Sequence, residues 1–333
     1  MKVKYLPHQP HCFAFGGFDL QMINTLDAVI KEGVDASKLD IWSRDNNFDI
    51  IHLWGVGPHN YLVIDFAKKS RKMIVATVIS SYHDTLRSKL GYYYRFFQVK
   101  QLIQYYKKID KIVVLNNEQL SVLTKYYKVS PSKIEIIPNI IENEYFKIPI
   151  FNFFEKYGVS NYVLCTGNIS SRKNQHNLAL ACINLNLNLV LIGNVLDGET
   201  LYGEKLETLV TKNRNIVWIR ELPSGSEELV SAYYNCKVYA LPSKSETQPI
   251  SALEAVAMHK PLILMDRKYA HQSFYKGTTL CKSPSVKDIE QALREVLNNS
   301  KIPEENKEIL NCKQEKVGNM YKACYSKLLK QSW

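Results

Sequence analysis

The chain has 333 residues, 46% of them hydrophobic, and carries a formal net charge of +11. That length exceeds what one hydrophobic core ordinarily supports, so two domains of roughly 150 residues each are expected, and the apolar content excludes a disordered chain. The basic surplus calls for an anionic partner: nucleic acid, an anionic membrane or a phosphorylated substrate.

The opening stretch, MKVKYLPHQPHCF, lacks the apolar run of a secretory signal. Lys and Arg interrupt every hydrophobic window before it reaches the roughly 18 residues of a spanning helix. A cytoplasmic location is therefore expected. Short apolar runs then alternate with longer amphipathic segments, the pattern of a parallel sheet wound by helices. Strands are expected at 3–6, 50–53, 73–78, 111–115 and 134–137, with a helix over 20–31 behind the turn Phe15-Gly16-Gly17-Phe18. An aromatic, weakly periodic stretch at 144–161 marks a boundary. Beyond it, strands are expected at 162–166, 188–192, 215–219, 237–240 and 261–265, and helices at 174–185, 201–212, 226–235 and 253–259. This divides the chain into domains 1–147 and 148–303 and a charged helical tail, 304–333, placed to pack back on the first domain. The seven cysteines are scattered and form no C-x-x-C pair, so neither a disulfide framework nor a zinc site is expected.

Ligands of open α/β sheets bind beyond the carboxyl ends of the strands, so the informative residues should follow strands. In LPSKSETQPISALEAVAMHKPLI, residues 241–263, a strand runs into a loop holding Glu246, and a helix begins near Ser251 with Glu254 in its first turns. The loop aims backbone N–H groups, including those of Ile250 and Ser251, at one point with the helix dipole behind them; such a site binds phosphate without a metal. Carboxylates on either flank suit sugar and ribose hydroxyls, which donate hydrogen bonds. In YVLCTGNISSRKNQHNLALA, residues 162–181, Gly167 permits a tight exit from the strand, and Arg172 and Lys173 stand at a helix N-terminus. Cations there oppose the helix dipole, so either a bound anion or simple solvation of a surface pair accounts for them.

Together these segments resemble the donor-site motifs of family 4 retaining glycosyltransferases. The resemblance implies the GT-B fold, two facing Rossmann-like parallel-sheet domains with an interdomain cleft: an acceptor-side N-terminal domain and a nucleotide-sugar domain. It places Glu246 by the donor sugar, Glu254 on the ribose and Lys173 on the diphosphate. Thr247, Gln248 and Pro249 replace the usual Gly-Phe-Gly, and Asn168 occupies the place of the family's arginine, for which Arg172 could substitute. The same resemblance makes Gly193 and the turn at Leu222 candidates for lining the base. His83 in SSYHD, after a strand, becomes the candidate contact to the donor sugar, whereas His52 in FDIIHLWG reads as structural. Gly16 and Gly17 could let backbone approach the ligand closely. PNIIENEYF, 138–146, is similar to the turn before the family's interdomain linker, with Glu142 in the aspartate position.

With no Asp-x-Asp in the chain, metal-independent transfer from a nucleoside-diphosphate sugar and no cofactor are expected. Residues 86–133 hold ten Lys/Arg, two acids and nine Tyr/Phe. Wound as a helix, Val99, Leu102, Ile103, Tyr106 and Ile109 share one face and Lys100, Lys107, Lys108 and Lys111 the other. That fits a helix lying on an anionic membrane, and equally a packed helix with a solvated basic face. With no nucleic-acid-binding motif present, the membrane is the favoured anionic partner. The acceptor is then a lipid-linked glycan or glycolipid of surface polysaccharide or lipopolysaccharide synthesis. The competing readings are a hydrolase or epimerase acting on a nucleotide sugar, and a degenerate, non-catalytic nucleotide-binding subunit.

Overall fold

A computed structural model describes residues 1–13, 15–80, 90–91, 95–298 and 306–330. The chain forms two compact α/β units, one of Met1–Ile140 with Asn311–Trp333 and one of Ile141–Leu310, each built on a six-stranded parallel sheet.

The first unit runs β1 (Lys2–Leu6), α1 (Gly17–Lys31), β2 (Asp35–Lys38), β3 (Ile50–Trp54), α2 (Tyr61–Lys69), β4 (Met73–Thr77), α3 (Phe96–Lys108), β5 (Lys111–Val114), α4 (Asn117–Tyr127) and β6 (Ile134–Ile136). Its strand order is β2-β1-β3-β4-β5-β6, so strand addition reverses direction between β1 and β3. The residues of β3 and β5 are buried throughout, as both faces of a parallel sheet are covered.

The second unit runs α5 (Phe153–Tyr157), β7 (Tyr162–Thr166), α6 (Gln175–Asn184), β8 (Asn188–Ile192), α7 (Thr200–Lys212), β9 (Ile216–Ile219), α8 (Glu227–Asn235), β10 (Val238–Leu241), α9 (Ile250–Ala257), β11 (Leu262–Met265), β12 (Thr279–Cys281) and α10 (Val286–Asn298). Its order is β12-β11-β10-β7-β8-β9. Strand addition reverses between β7 and β10, which are direct neighbours.

Two strands escape the sequence pattern, β2 (DASK) and β12 (TLC), and both lie at sheet edges. An edge strand pairs on one side only, and nature keeps such strands short and polar. The unit boundary falls at Ile141, ahead of the expected 147/148. The reason is local packing: the Tyr145 ring meets Tyr233 of α8 edge-on, with ring centres 5.5 Å apart.

The terminal helix α11 (Gln314–Lys330) packs on α1 in the first unit and is tied to the sheet by buried polar groups. The Tyr325 hydroxyl lies 2.6 Å from the Tyr5 hydroxyl and 2.6 Å from His52 Nδ1. His52 Nε2 lies 2.9 Å from Thr77 Oγ1, which reaches the Tyr321 hydroxyl at 3.1 Å. Burial pushes the His52 imidazole down to about 3, so it stays neutral and serves the core.

The apolar face of α3 is largely core. Tyr106 and Ile109 are buried in the first unit's second hydrophobic cluster, and Leu102 and Tyr105 pack against it. Tyr105 also stacks on Tyr61 of α2 at 3.8 Å. Lys111 does not face solvent as the helical pattern suggested; it is buried and paired with Glu135 at 3.0 Å. Exposed positions include Phe97, Lys100, Lys107 and Lys108 on α3, the last paired with Asp65 of α2, and Leu62 and Phe66 on the adjoining α2. Among the described residues no helix is long and apolar enough to cross a membrane.

Candidate active site

Parallel pairing of β7 and β10 brings the loops after them side by side at the carboxyl edge of the second sheet. This reversal point is where an α/β sheet opens a crevice for ligand. Glu246, Glu254, Arg172 and Lys173 all arise there.

The loop after β7 is shaped by close backbone approach. Gly167 has φ +108 and Gly193, at the end of β8, has φ +147; both values strain any residue with a β-carbon. A methyl group on Gly193 would strike the Gly167 carbonyl, and one on Gly167 would displace the Lys173 ammonium. Lys173 is thus folded back over the glycine, at the strand end. Gln175, the first residue of α6, holds the loop from inside: its Oε1 accepts from the Ser170 N–H at 3.2 Å and its Nε2 donates to the Asn168 carbonyl at 3.0 Å.

The loop after β10 is stitched to it by Arg172. Its Nη1 donates to Glu246 Oε1 at 2.6 Å, and its carbonyl accepts from the Lys244 N–H at 2.9 Å. Buried Ser243 donates to the same carboxylate oxygen at 2.9 Å. The guanidinium that could stand in for the family's arginine is thus paired with Glu246 in this structure. Farther along, Gln272 Nε2 donates to the Thr247 carbonyl at 2.7 Å and the Tyr275 hydroxyl donates to the Pro249 carbonyl at 3.2 Å. These braces from the segment after β11 fix the mouth of α9, where the N–H groups of Ile250 and Ser251 have no acceptor within the helix.

Glu254 lies in the second turn of α9 and is buried, its Oε2 accepting from the Tyr233 hydroxyl at 2.6 Å. Burial raises its carboxyl to about 7; the Tyr233 hydrogen bond opposes this, the Glu142 charge adds to it, and the Tyr145 hydroxyl and Lys173 lower it. Lys173, folded over Gly167 at the end of β7, and Glu254, in the helix that follows β10, thus stand at the carboxyl edge of two directly paired strands. A site with a lysine, free helix amides and two flanking carboxylates is equipped to hold a diphosphate and the hydroxyls on either side of it.

Leu222 follows β9, farther along the same edge, where Gly193 N–H donates to the Ile219 carbonyl at 2.9 Å. Gly16 and Gly17 begin α1 in the first unit. Gly16 has an extended φ of −154 and open space where a β-carbon would stand, while its N–H and carbonyl are both engaged at the start of α1. Sequence reasoning missed what shapes that turn: buried Asp19 accepts from the Gly16 N–H at 2.9 Å and from Gln9 Nε2 at 3.1 Å. An acid three residues into the helix, placed to reach back to the N-cap N–H, was its signal. His83 and the Tyr92–Tyr94 cluster lie outside the described residues. Among the described residues no group of His, Cys, Asp and Glu side chains is arranged to hold a metal ion.

Two parallel-sheet α/β units of this kind are the architecture of GT-B glycosyltransferases, and the family models place the chain among them. No curated protein is a significant match in sequence. The chain belongs to the group 1 glycosyl transferases: that family's model matches residues 147–313, and the model of Glycosyltransferase Family 4 matches residues 22–145. Solved structures share the fold across the whole length at low identity. Sucrose-phosphate synthase from Thermosynechococcus elongatus is 12% identical with TM-score 0.79, covering 99% of each chain. Anabaena HepE in complex with UDP-glucose is 12% identical with TM-score 0.75, covering 98% of this chain and all (100%) of that one. WaaG, a glycosyltransferase involved in lipopolysaccharide biosynthesis, is 15% identical with TM-score 0.62, covering 96% of this chain and 95% of that one.

Proposed function

We propose that this glycosyltransferase moves a sugar, with retention and without a metal, from a nucleoside diphosphate to a membrane-associated glycan or glycolipid. The observation that carries the reading is that Lys173, after β7, and the α9 amides with Glu254, after β10, follow two strands that pair directly at the reversal point of the sheet. The diphosphate lies on the Ile250 and Ser251 N–H groups and the Lys173 ammonium. Glu254 accepts from the ribose hydroxyls, and Glu246, held by Arg172 and Ser243, accepts from the donor sugar. As the glycosidic bond breaks, negative charge grows on the leaving phosphate, and donors already aimed there stabilise it without reorganising. The UDP-glucose bound to HepE supports a nucleotide-sugar donor, and the role of WaaG supports a lipopolysaccharide or surface-glycan acceptor. The exposed Leu62, Phe66 and Phe97 beside Lys100 and Lys107 support attachment to an anionic membrane, apolar side chains entering the headgroup region and lysines meeting lipid charge.

Thermal-shift screening of UDP, GDP and ADP, alone and as sugar conjugates, tests this reading, because a ligand that binds only the folded state raises apparent stability. At least one diphosphate should stabilise the protein, Glu254→Ala should weaken that binding, and Glu246→Ala should chiefly lower turnover. Negligible effects of both substitutions on binding and turnover would overturn it.

A further inference from the structure

Four buried side chains surround Glu254 in an arrangement no motif announces. The Tyr233 hydroxyl of α8 lies 2.6 Å from Glu254 Oε2 and also 2.6 Å from Thr166 Oγ1, at the last residue of β7. Tyr239 of β10 stacks on Tyr233 with ring centres 5.4 Å apart and reaches Thr166 Oγ1 at 3.4 Å. Tyr145 closes the edge. Tyr145, Tyr233, Tyr239, Thr166 and Glu254 are all buried. The titratable groups facing Glu254 are therefore Tyr233 from α8, Tyr239 from β10, Tyr145 and Glu142 from the segment before α5, and Lys173 from the loop after β7.

A lone hydroxyl between two oxygens must choose an acceptor. An ionised carboxylate is the stronger one, so Tyr233 donates to Glu254 and accepts from Thr166. The chain Thr166–Tyr233–Glu254 thus runs from the end of β7 to the carboxylate, and it favours the charged form that ribose hydroxyls need. Burial and the Glu142 charge press the other way.

We propose that Tyr233, held by Thr166, is the positioning residue of the donor site, and that donor binding is coupled to proton release from Glu254. This rests on the assignment of Glu254 to the ribose. When the ribose hydroxyls dock, each O–H donates to the ionised carboxylate, and the proton carried by the protonated fraction of Glu254 leaves for solvent.

The test is calorimetric titration with the tightest binder among UDP, GDP and ADP between pH 6 and 9, in buffers of differing ionisation enthalpy. For the unaltered protein, affinity should rise as pH rises through the Glu254 midpoint, with net proton release beyond that of the ligand's own terminal phosphate. Tyr233→Phe keeps the ring for both aromatic contacts and removes the hydroxyl. The midpoint of its affinity profile should move up by about one pH unit, leaving binding about fivefold weaker at pH 7 and nearly restored at pH 9. Thr166→Val should move the midpoint the same way by less, and Thr166→Ser should restore it. A Tyr233→Phe profile that is uniformly lowered with its midpoint unmoved, or is unchanged, would overturn the positioning role while leaving the donor site intact. Failure of the folded, unaltered protein to bind any of the three diphosphates would instead remove the donor-site reading and this inference with it.

Discussion

Replacing Gly167 by alanine tests the site at its tightest point. The backbone there has φ +108, a conformation that costs a residue with a β-carbon about 1–3 kcal/mol, so the second unit should lose stability of that order. The larger consequence is for binding. The new β-carbon would occupy the place of the Lys173 ammonium, with Lys173 Cε only 3.4 Å away. The ammonium, at the end of a flexible side chain, must leave, whereas the strand can stay. A charge-assisted hydrogen bond is worth about 1.5–3 kcal/mol, so diphosphate affinity should fall about ten- to hundredfold. Lys173→Ala should cost about the same. The two losses share one cause and should not add: the double variant should bind like Lys173→Ala alone. Calorimetry with the tightest binder among UDP, GDP and ADP measures the cycle, with thermal unfolding as the stability control. Losses that add in free energy, or wild-type affinity in Gly167→Ala beside a crippled Lys173→Ala, would refute the placement of that ammonium on the diphosphate.

Two further outcomes follow from the first unit. His52 is neutral in the folded chain, with its imidazole down at about 3, but titrates near its ordinary value of 6.5 when unfolded. Below pH 6.5 the unfolded state therefore binds the extra proton, and stability present above that pH is lost as pH falls toward 3, by about 2 kcal/mol at pH 5. Urea unfolding at pH 7 and 5 should show this loss, and His52→Gln should flatten most of it; an equally steep dependence in the variant would contradict the role given to His52. On the membrane side, Lys100→Ala with Lys107→Ala should weaken sedimentation with phosphatidylglycerol vesicles about thirtyfold, from about 1 kcal/mol per lysine. Equal sedimentation with purely zwitterionic vesicles would argue against the anionic surface.

The α/β class and the main strands were legible because burial on both faces of a parallel sheet leaves short apolar runs between amphipathic ones. Glu246, Glu254, Gly167 and Lys173 could be singled out as candidates because their segments follow such runs, where the topology puts ligands, and because those segments resemble a donor-site motif. What could not be read were partners distant in sequence. Arg172 meets Glu246, 74 residues away, only because β10 enters the sheet beside β7. The lipid-like stripe of α3 turned out to be largely core because the α2 ring of Tyr61 and the sheet cover it, which helical period alone does not distinguish from exposure.

By itself, then, the order of residues determined the alternation of elements and the chemical types gathered at strand ends, since both depend on near neighbours and backbone preference. Tertiary structure alone decided that Tyr233 and Thr166 would hold Glu254, and that Tyr325 would close on His52 across 273 residues. Such contacts are set by the order in which strands join a sheet and by which helix covers it, and a one-dimensional pattern of polarity carries neither.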